Sequence, residues 1–222
     1  MIPKFWNVRD RAPLIYDAFE EVYGMLERTD GMFDSACRSL FNMSTEASGE
    51  PPVDVAILDE DIDYGERAVR RMVFQHLSMN PKQDLTASLI LVSIVHDVER
   101  AGDYIKSLSY LSRWDVKSSA EADRSRAISE KIRPMFGEAL NALRDGDDAI
   151  ARSVMDRHKA NKKEANAFLQ EMLEASSTTG GTRDALVWNI GVQYLRRISA
   201  HLSNVASSVA NPFDRLGGQE PI

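Results

Sequence analysis

The sequence is short of several things at once. Its 222 residues include one cysteine, 8 prolines and 12 glycines, and basic side chains are not in excess. With so few Gly and Pro, and with no alternating runs of β-branched residues, the composition argues against wholesale disorder and against a β-sandwich. The balance of 27 basic and 34 acidic residues leaves a formal charge of −7. Proteins that bind nucleic acid usually carry a basic excess to displace counterions, so no nucleic-acid partner is expected. Cys37 alone cannot close an intramolecular disulfide, which fits a reducing compartment. Met1 to Asn7 has no apolar core of the kind a secretory signal needs. The longest strongly apolar stretch, Leu85 to Val95, is about half of the roughly 20 residues of a membrane span, and it contains Thr86, Ser88 and Ser93. A cytoplasmic protein without membrane insertion is expected.

What the sequence does have is helical periodicity almost from end to end. Pro13 stands where a first helical residue would, and apolar positions recur through Leu14, Phe19, Val22, Met25, Phe33 and Leu40. Ser44 to Pro52 reads as a loop. Further helices are expected over about Val55 to Ser78 and Lys82 to Arg113, then after a break at Ser118-Ser119 to about Arg144, after a turn to about Ala175, and over Thr182 to Val209. The other breaks fall at Asn80-Pro81, the tight turn Asp145-Gly146-Asp147-Asp148 and the loop Ser176 to Gly181. An irregular tail is expected over 211–222.

Three helices, a break and three more prompt a search for an internal repeat. Met32-Phe33-Asp34-Ser35-Ala36 aligns with Met135-Phe136-Gly137-Glu138-Ala139 at an offset of 103, each preceded by a helix disruptor, Gly31 or Pro134. Beyond the first loop the offset falls to 97, which sets Asp59 opposite Asp156 and Ile94, Val98 and Leu108 opposite Gly191, Leu195 and Val205. The expected architecture is a single all-α domain over 1–222. It is a six-helix bundle of two tandem three-helix repeats, about 12–113 and 121–210, each burying its apolar stripe against the other.

The third helix carries the chemistry. Leu85, Leu89, Val92, His96, Glu99 and Asp103 share one face about 80° wide. The lower, apolar part of that face is expected to point inward, and its upper part becomes an imidazole and two carboxylates. Leu91, Val95, Val98, Gly102 and Ile105 form a second, wholly apolar stripe, as befits a central helix. Glu99 and Asp103 lie one turn apart, spaced to grip one hard cation or bridge two. The alternative is ordinary surface ion pairing, Glu99 with Arg100 and Asp103 with Lys106. On the second helix Asp59 and Asp63, at i, i+4, would supplement Glu99 and Asp103 if the two helices pack side by side. Otherwise the run Asp59-Glu60-Asp61-Ile62-Asp63, with Glu66 a turn on, is a solvated face near a helix N-terminus.

Val98-Glu99-Arg100-Ala101-Gly102-Asp103-Tyr104-Ile105 resembles the signature of the PhoU family of phosphate-uptake regulators, an acidic-x-x-x-Asp motif on the third helix of a three-helix unit. The tandem repeat and the length fit that family too, and the resemblance spans roughly Ala12 to Ala210. It implies a two-unit all-helical fold and, at Glu99 and Asp103, ligands for iron or another divalent or trivalent cation, with His96 beside them. It also implies a non-catalytic, commonly dimeric regulator. The implied partners are a phosphate transporter (an ABC ATPase or a sodium-phosphate carrier) and a sensor histidine kinase.

The second copy departs from that signature. Arg196 stands opposite Glu99, Ala200 opposite Asp103 and Gln193 opposite His96. Arginine cannot ligate a cation, so a second metal site of the family type is not expected. Repeat two is read first as having lost its metal site and kept only the fold; the alternative is that Arg196 offers a bidentate anchor for a carboxylate or phosphate. The fifth helix likewise reads Asp156-Arg157-His158-Lys159, then Lys162 and Lys163, basic where repeat one is acidic. Arg196, Lys159, Lys162 and Lys163 are therefore the candidate partner-binding residues, complementary to a different partner from the acidic face.

No Gly-rich phosphate loop, zinc spacing or pair of Glu-x-x-His motifs occurs, and Cys37 reads as a core thiol, so no enzymatic constellation is expected. A regulatory helical adaptor is the leading expectation. An iron-binding bundle with a storage, sensing or redox role is the alternative.

Overall fold

The computed structural model describes residues 11–43, 54–114, 116, 119–174 and 181–211. Six long helices make up nearly all of it: α1 (Pro13–Leu40), α2 (Val55–Met79), α3 (Leu85–Tyr110), α4 (Ala120–Asp145), α5 (Asp148–Glu174) and α6 (Thr182–Ala210). A single 3₁₀ turn, Leu111–Arg113, follows α3. Among the described residues there is no strand, and no helix is long and apolar enough to cross a membrane. The expected loops at 44–52 and 176–180 and the tail from 212 lie outside the described residues.

Local chemistry sets the helix ends. Asp54 accepts from the Ala56 amide (2.9 Å) at the start of α2, and Ser119 accepts from the Ala122 amide (3.2 Å) at the start of α4. These are side-chain caps for otherwise orphaned N–H groups. Gly146 takes the left-handed conformation (φ 64°) that ends α4, and Asp147 then caps α5 through the Ala149 and Ile150 amides. The third helix begins at Leu85 rather than Lys82, because Asp84 adopts φ 53°. Asp84 is held there by Arg11 (2.6 Å) across 73 residues of chain. Gly31 and Pro134 break nothing. Both sit inside continuous helices, and Pro134 forgoes only one rung of the α4 ladder.

Within each unit the three helices pack on one another, and the units meet through α3 against α6 and α1 against α4. Burial repeats with the sequence. Val22, Met25, Met32, Phe33, Ala36 and Leu40 recur as buried Ser125, Ile128, Met135, Phe136, Ala139 and Leu143, and the α3 positions Leu91, Ile94, Val98 and Ile105 recur as Trp188, Gly191, Leu195 and Leu202. At offsets of 103 and 97, Phe33 corresponds to Phe136 and Tyr104 to His201. The rings of Phe33 and Phe136 lie 5.1 Å apart and those of Tyr104 and His201 5.6 Å apart. A residue touches its own counterpart only on a two-fold axis, so both pairs mark a local dyad between the units. Beside it the Asp97 carboxylate on α3 accepts from His201 Nδ1 (2.8 Å) and Asn204 Nδ2 (2.9 Å) on α6, and Tyr104 reaches Tyr194.

The α2/α5 correspondence is one residue off the expected register. Ile62, Gly65 and Val69 face inward, and the matching inward positions of α5 are His158, Asn161 and Ala165, an offset of 96. Asp59, which is buried, therefore has no counterpart in the exposed Asp156.

Cys37 is buried in this core, and burial pushes its thiol up to about 12, so it behaves as a small apolar side chain. Trp188 is buried and stacks on Phe41, whereas Trp114 is exposed.

Two glycines give a paired stability test. A Cβ on Gly65 would come within 2.9 Å of Met25 and 2.7 Å of the Glu21 carboxylate, so α2 approaches α1 only because that position is bare. Gly137, inside α4, has nothing within 4 Å. Gly65→Ala is expected to lower unfolding free energy by about 1–3 kcal/mol through overpacking, and Gly137→Ala to raise it by about 0.5–1 kcal/mol. Denaturant unfolding of the two variants beside wild type checks both signs.

Candidate functional site

The α2–α3 hairpin builds the acidic site. The two helices run antiparallel from a tight turn at 80–84, which His76 fastens by a hydrogen bond between its Nε2 and the Gln83 carbonyl (2.9 Å). Equal counts along the two arms from the Lys82–Gln83 peptide bring Glu66 across from Glu99, and Asp59 across from Lys106.

The structure places the candidate ligands accordingly. Glu66, His96 and Glu99 each offer an atom within 4.8 Å of the other two. His96 Nδ1 lies 3.4 Å from Glu66 and 3.6 Å from Glu99. Asp103 is next to Glu99 on α3, with its carboxylate tied to Arg100 at 3.3 Å. The site excludes Asp59, whose buried carboxylate accepts directly from Lys106 Nζ, and Asp63 is exposed on the outer side of α2. Lys106 consequently serves Asp59 rather than Asp103. Glu66 is thus the member that the choice of Asp59 and Asp63 displaced. The signal for it was the short hairpin turn, which fixes the cross-helix register.

A second difference concerns the apolar part of the same stripe. Leu85, Leu89 and Val92 do not point inward; they are 45%, 42% and 38% exposed. The inward face of α3 is the other stripe, Leu91, Val95, Val98, Gly102 and Ile105, all buried. One helix cannot bury both stripes when α1, α2 and α6 already surround it. The 85-89-92-96-99-103 line is therefore the face left to solvent.

Electrostatically the cluster is poised. Glu99 has its Oε2 buried and without a hydrogen-bond partner. Burial, followed by the charges of Asp103 and Glu66, raises its carboxyl to about 7, against a smaller opposing pull from Arg100. Arg70 pairs with Glu66 (2.8 Å) and Arg100 reaches Glu99 (3.8 Å), but both arginines are half exposed and approach from the rim. Two converging carboxylates and an imidazole, with one carboxylate oxygen unsatisfied and Asp103 alongside, are a donor set suited to a hard or borderline cation.

The counterpart in unit two is basic. Arg196 donates through Nη2 to Gln193 Oε1 (2.8 Å) and through Nη1 to Asn166 Oδ1 (3.3 Å). His158 Nδ1 lies 3.0 Å from Ser199 Oγ. Burial, then the nearby charges of Lys162, Arg196 and His201, lower the His158 imidazole to about 4. Lys162 is half-buried, Lys163 is exposed, and Lys159 pairs on the surface with Asp156 (3.2 Å).

These features define a two-unit helical bundle with, among the described residues, one acidic cluster and no second copy of it. A family model described as the PhoU domain matches residues 22–111, the stretch that contains the cluster. Two solved structures share the fold. PhoU from Pseudomonas aeruginosa has a TM-score of 0.77 at 20% identity, over 88% of this chain and 95% of that one. The phosphate transport system regulatory protein PhoU from Streptococcus pneumoniae has a TM-score of 0.74 at 14% identity, over 88% and 92%. No curated protein matches the sequence. Residues 22–111 are thus similar to the PhoU domain, and the chain has the fold seen in the two PhoU structures.

The raised Glu99 carboxyl has a pH consequence. A carboxyl whose folded-state value lies above its unfolded one binds its proton more tightly in the fold, so ionising it weakens the fold. With a chelator present, this group's contribution is lost as pH rises from about 4.5 to about 7. Glu99→Gln is expected to raise Tm at pH 8 and to leave it near wild type at pH 4.5. An equal shift at both pH values would show that charge is not the cause.

Proposed function

We propose that this protein is a PhoU-like regulator of phosphate transport and phosphate-starvation signalling. It acts as a non-catalytic helical adaptor, homodimeric and on the cytoplasmic side, that docks on a phosphate transporter (an ABC ATPase or a sodium-phosphate carrier) or a sensor histidine kinase. The observation that carries this reading is the match of the PhoU domain to residues 22–111, on a chain whose whole fold follows PhoU structures. Physical form supports it. Long helical faces such as the half-exposed Leu85, Leu89, Val92 line offer broad apolar contact next to charge, and the exposed Lys159 and Lys163 give unit two a surface of opposite sign. A deletion strain grown with ample phosphate is expected to take up phosphate without restraint and to express alkaline phosphatase, with both corrected by the wild-type gene. Unchanged uptake and phosphatase output in the deletion would remove the regulatory role.

A second reading rests on the Glu66, His96, Glu99 geometry and the unsatisfied Glu99 Oε2. These residues, with Asp103, fit iron or another divalent or trivalent cation. A bound cation would satisfy the buried oxygen and relieve the repulsion among the carboxylates. Protein loaded with Fe(II) or Mn(II) and dialysed is expected to retain the cation stoichiometrically, and Glu66→Gln/Glu99→Gln to release it. Equal retention in that variant would place the metal elsewhere, and no retention in wild type would leave the cluster as a charged face. Complementing the deletion strain with Glu99→Ala/Asp103→Ala separates the two readings, because rescue would make the cation dispensable for regulation.

A further inference from the structure

The basic counterpart of the acidic cluster is more than a lost metal site. Two registers define its members independently. On α3 and α6 the offset of 97, fixed by the dyad contacts, sets Arg196 in the place of Glu99. On α2 and α5 the offset of 96 sets Lys162 in the place of Glu66. Contacts agree with the second register: Ile62 packs on Gly102 (3.4 Å from a Cβ built there), and the corresponding His158 meets the corresponding Ser199. Both facing carboxylates of unit one have thus become facing cations.

Had the inversion only preserved a surface ion-pair network, the compensating arginines of unit one would have become acids. They have not. Arg70, which pairs with Glu66, corresponds to Asn166, and Arg100 corresponds to Arg197. The guanidinium of Arg196 is therefore held only by the neutral side chains of Gln193 and Asn166, and its Nε is buried with no partner. Among the described residues no carboxylate forms an ion pair with Arg196 or Lys162. The acids of the surrounding helices are already engaged: Glu138 by Arg157, Asp156 by Lys159, Glu164 by Lys131 and Asp97 by His201. Two cations held near each other without an internal counter-charge are costly to the fold, and an anion between them removes that cost.

We propose that Arg196 and Lys162 form a binding site for a phosphate-type oxyanion in unit two, at the position where unit one carries its acidic cluster. The guanidinium offers a preset fork held in place by Gln193 and Asn166, and the ammonium supplies a second charge from the facing helix. A single carboxylate would be served by the fork alone. Two cations on different helices suit a small dianion, either free phosphate or a phosphate monoester. The site goes beyond the regulatory role and does not depend on a cation at Glu99.

The test is calorimetric titration of the full chain, at fixed ionic strength, with inorganic phosphate and separately with O-phosphoserine. Wild type is expected to bind one equivalent saturably. Arg196→Gln and Lys162→Gln should each weaken binding at least about tenfold, as loss of one charge-assisted contact does, while Lys159→Gln leaves it unchanged. Binding of phosphate alone identifies the free ion as the ligand, and binding of both identifies the monoester chemistry. The proposal fails if neither probe binds saturably, or if Arg196→Gln and Lys162→Gln bind as wild type does. Thermal melts establish that each variant is folded. Should Arg196→Gln unfold, Lys162→Gln decides, since among the described residues no hydrogen bond or ion pair runs through its ammonium group.

Discussion

The packing of α3 against α6 on the local dyad constrains everything else. Each of these helices is covered by two helices of its own unit and by the other across the seam, so only one narrow face of each reaches solvent. Tyr104 against His201, with Asp97 accepting from His201 and Asn204, supplies the specific polar contacts on that seam. Leu91, Val95, Leu195 and Ile198 on these two helices are buried, and Gly191 of α6 lies against Leu108 of α3. A helix so enclosed has its free face as the place for ionisable groups that find no partner across the seam. That is where His96, Glu99 and Asp103 stand in one unit and Gln193, Arg196 and Ala200 in the other.

Much of this was legible in the sequence. Helix ends were marked by Pro13, Asp54, Asn80, Ser119, Gly146 and Gly181, each through backbone chemistry that acts within a turn or two. The repeat was legible because both units bury the same positions, and a dyad between them demands it. Inward and outward stripes of α3 were harder to tell apart, because Leu85, Leu89 and Val92 are as apolar as the stripe that is buried. Composition says that a residue prefers burial but not whether a neighbouring helix is there to provide it.

The site was half legible for a related reason. Glu99, Asp103 and His96 share one helix, where 3.6-residue spacing fixes their relation, whereas Glu66 belongs to another helix and joins them only through the hairpin register. Asp59 looked an equally good ligand by spacing alone. It is removed from the site by Lys106, seven residues beyond Glu99, a distance that the cross-helix count from the turn converts into direct contact. The one-residue slip between α2 and α5 has the same origin. It leaves every helix pattern intact and becomes visible only where Ile62 meets Gly102 and His158 meets Ser199.

The two units therefore share a scaffold without sharing chemistry, and the manner of the divergence is informative. A duplicated site that simply loses its function should drift toward neutral residues, since a half-buried charge without a partner weakens the fold. Ala200 and Gln193 follow that course. Arg196 and Lys162 do not, and the positions around them changed in the direction that removes counter-charge rather than adding it. In unit one Glu99 keeps a buried oxygen without a hydrogen bond, although Arg100 approaches it from the rim and Arg70 pairs with the neighbouring Glu66. Each unit thus carries charge of one sign on the single face of its central helix that the seam leaves open, countered by rim arginines in unit one and by no carboxylate ion pair to Arg196 or Lys162 among the described residues of unit two. A bundle built this way spends its core on the dyad and leaves its two exposed faces to side chains of opposite charge.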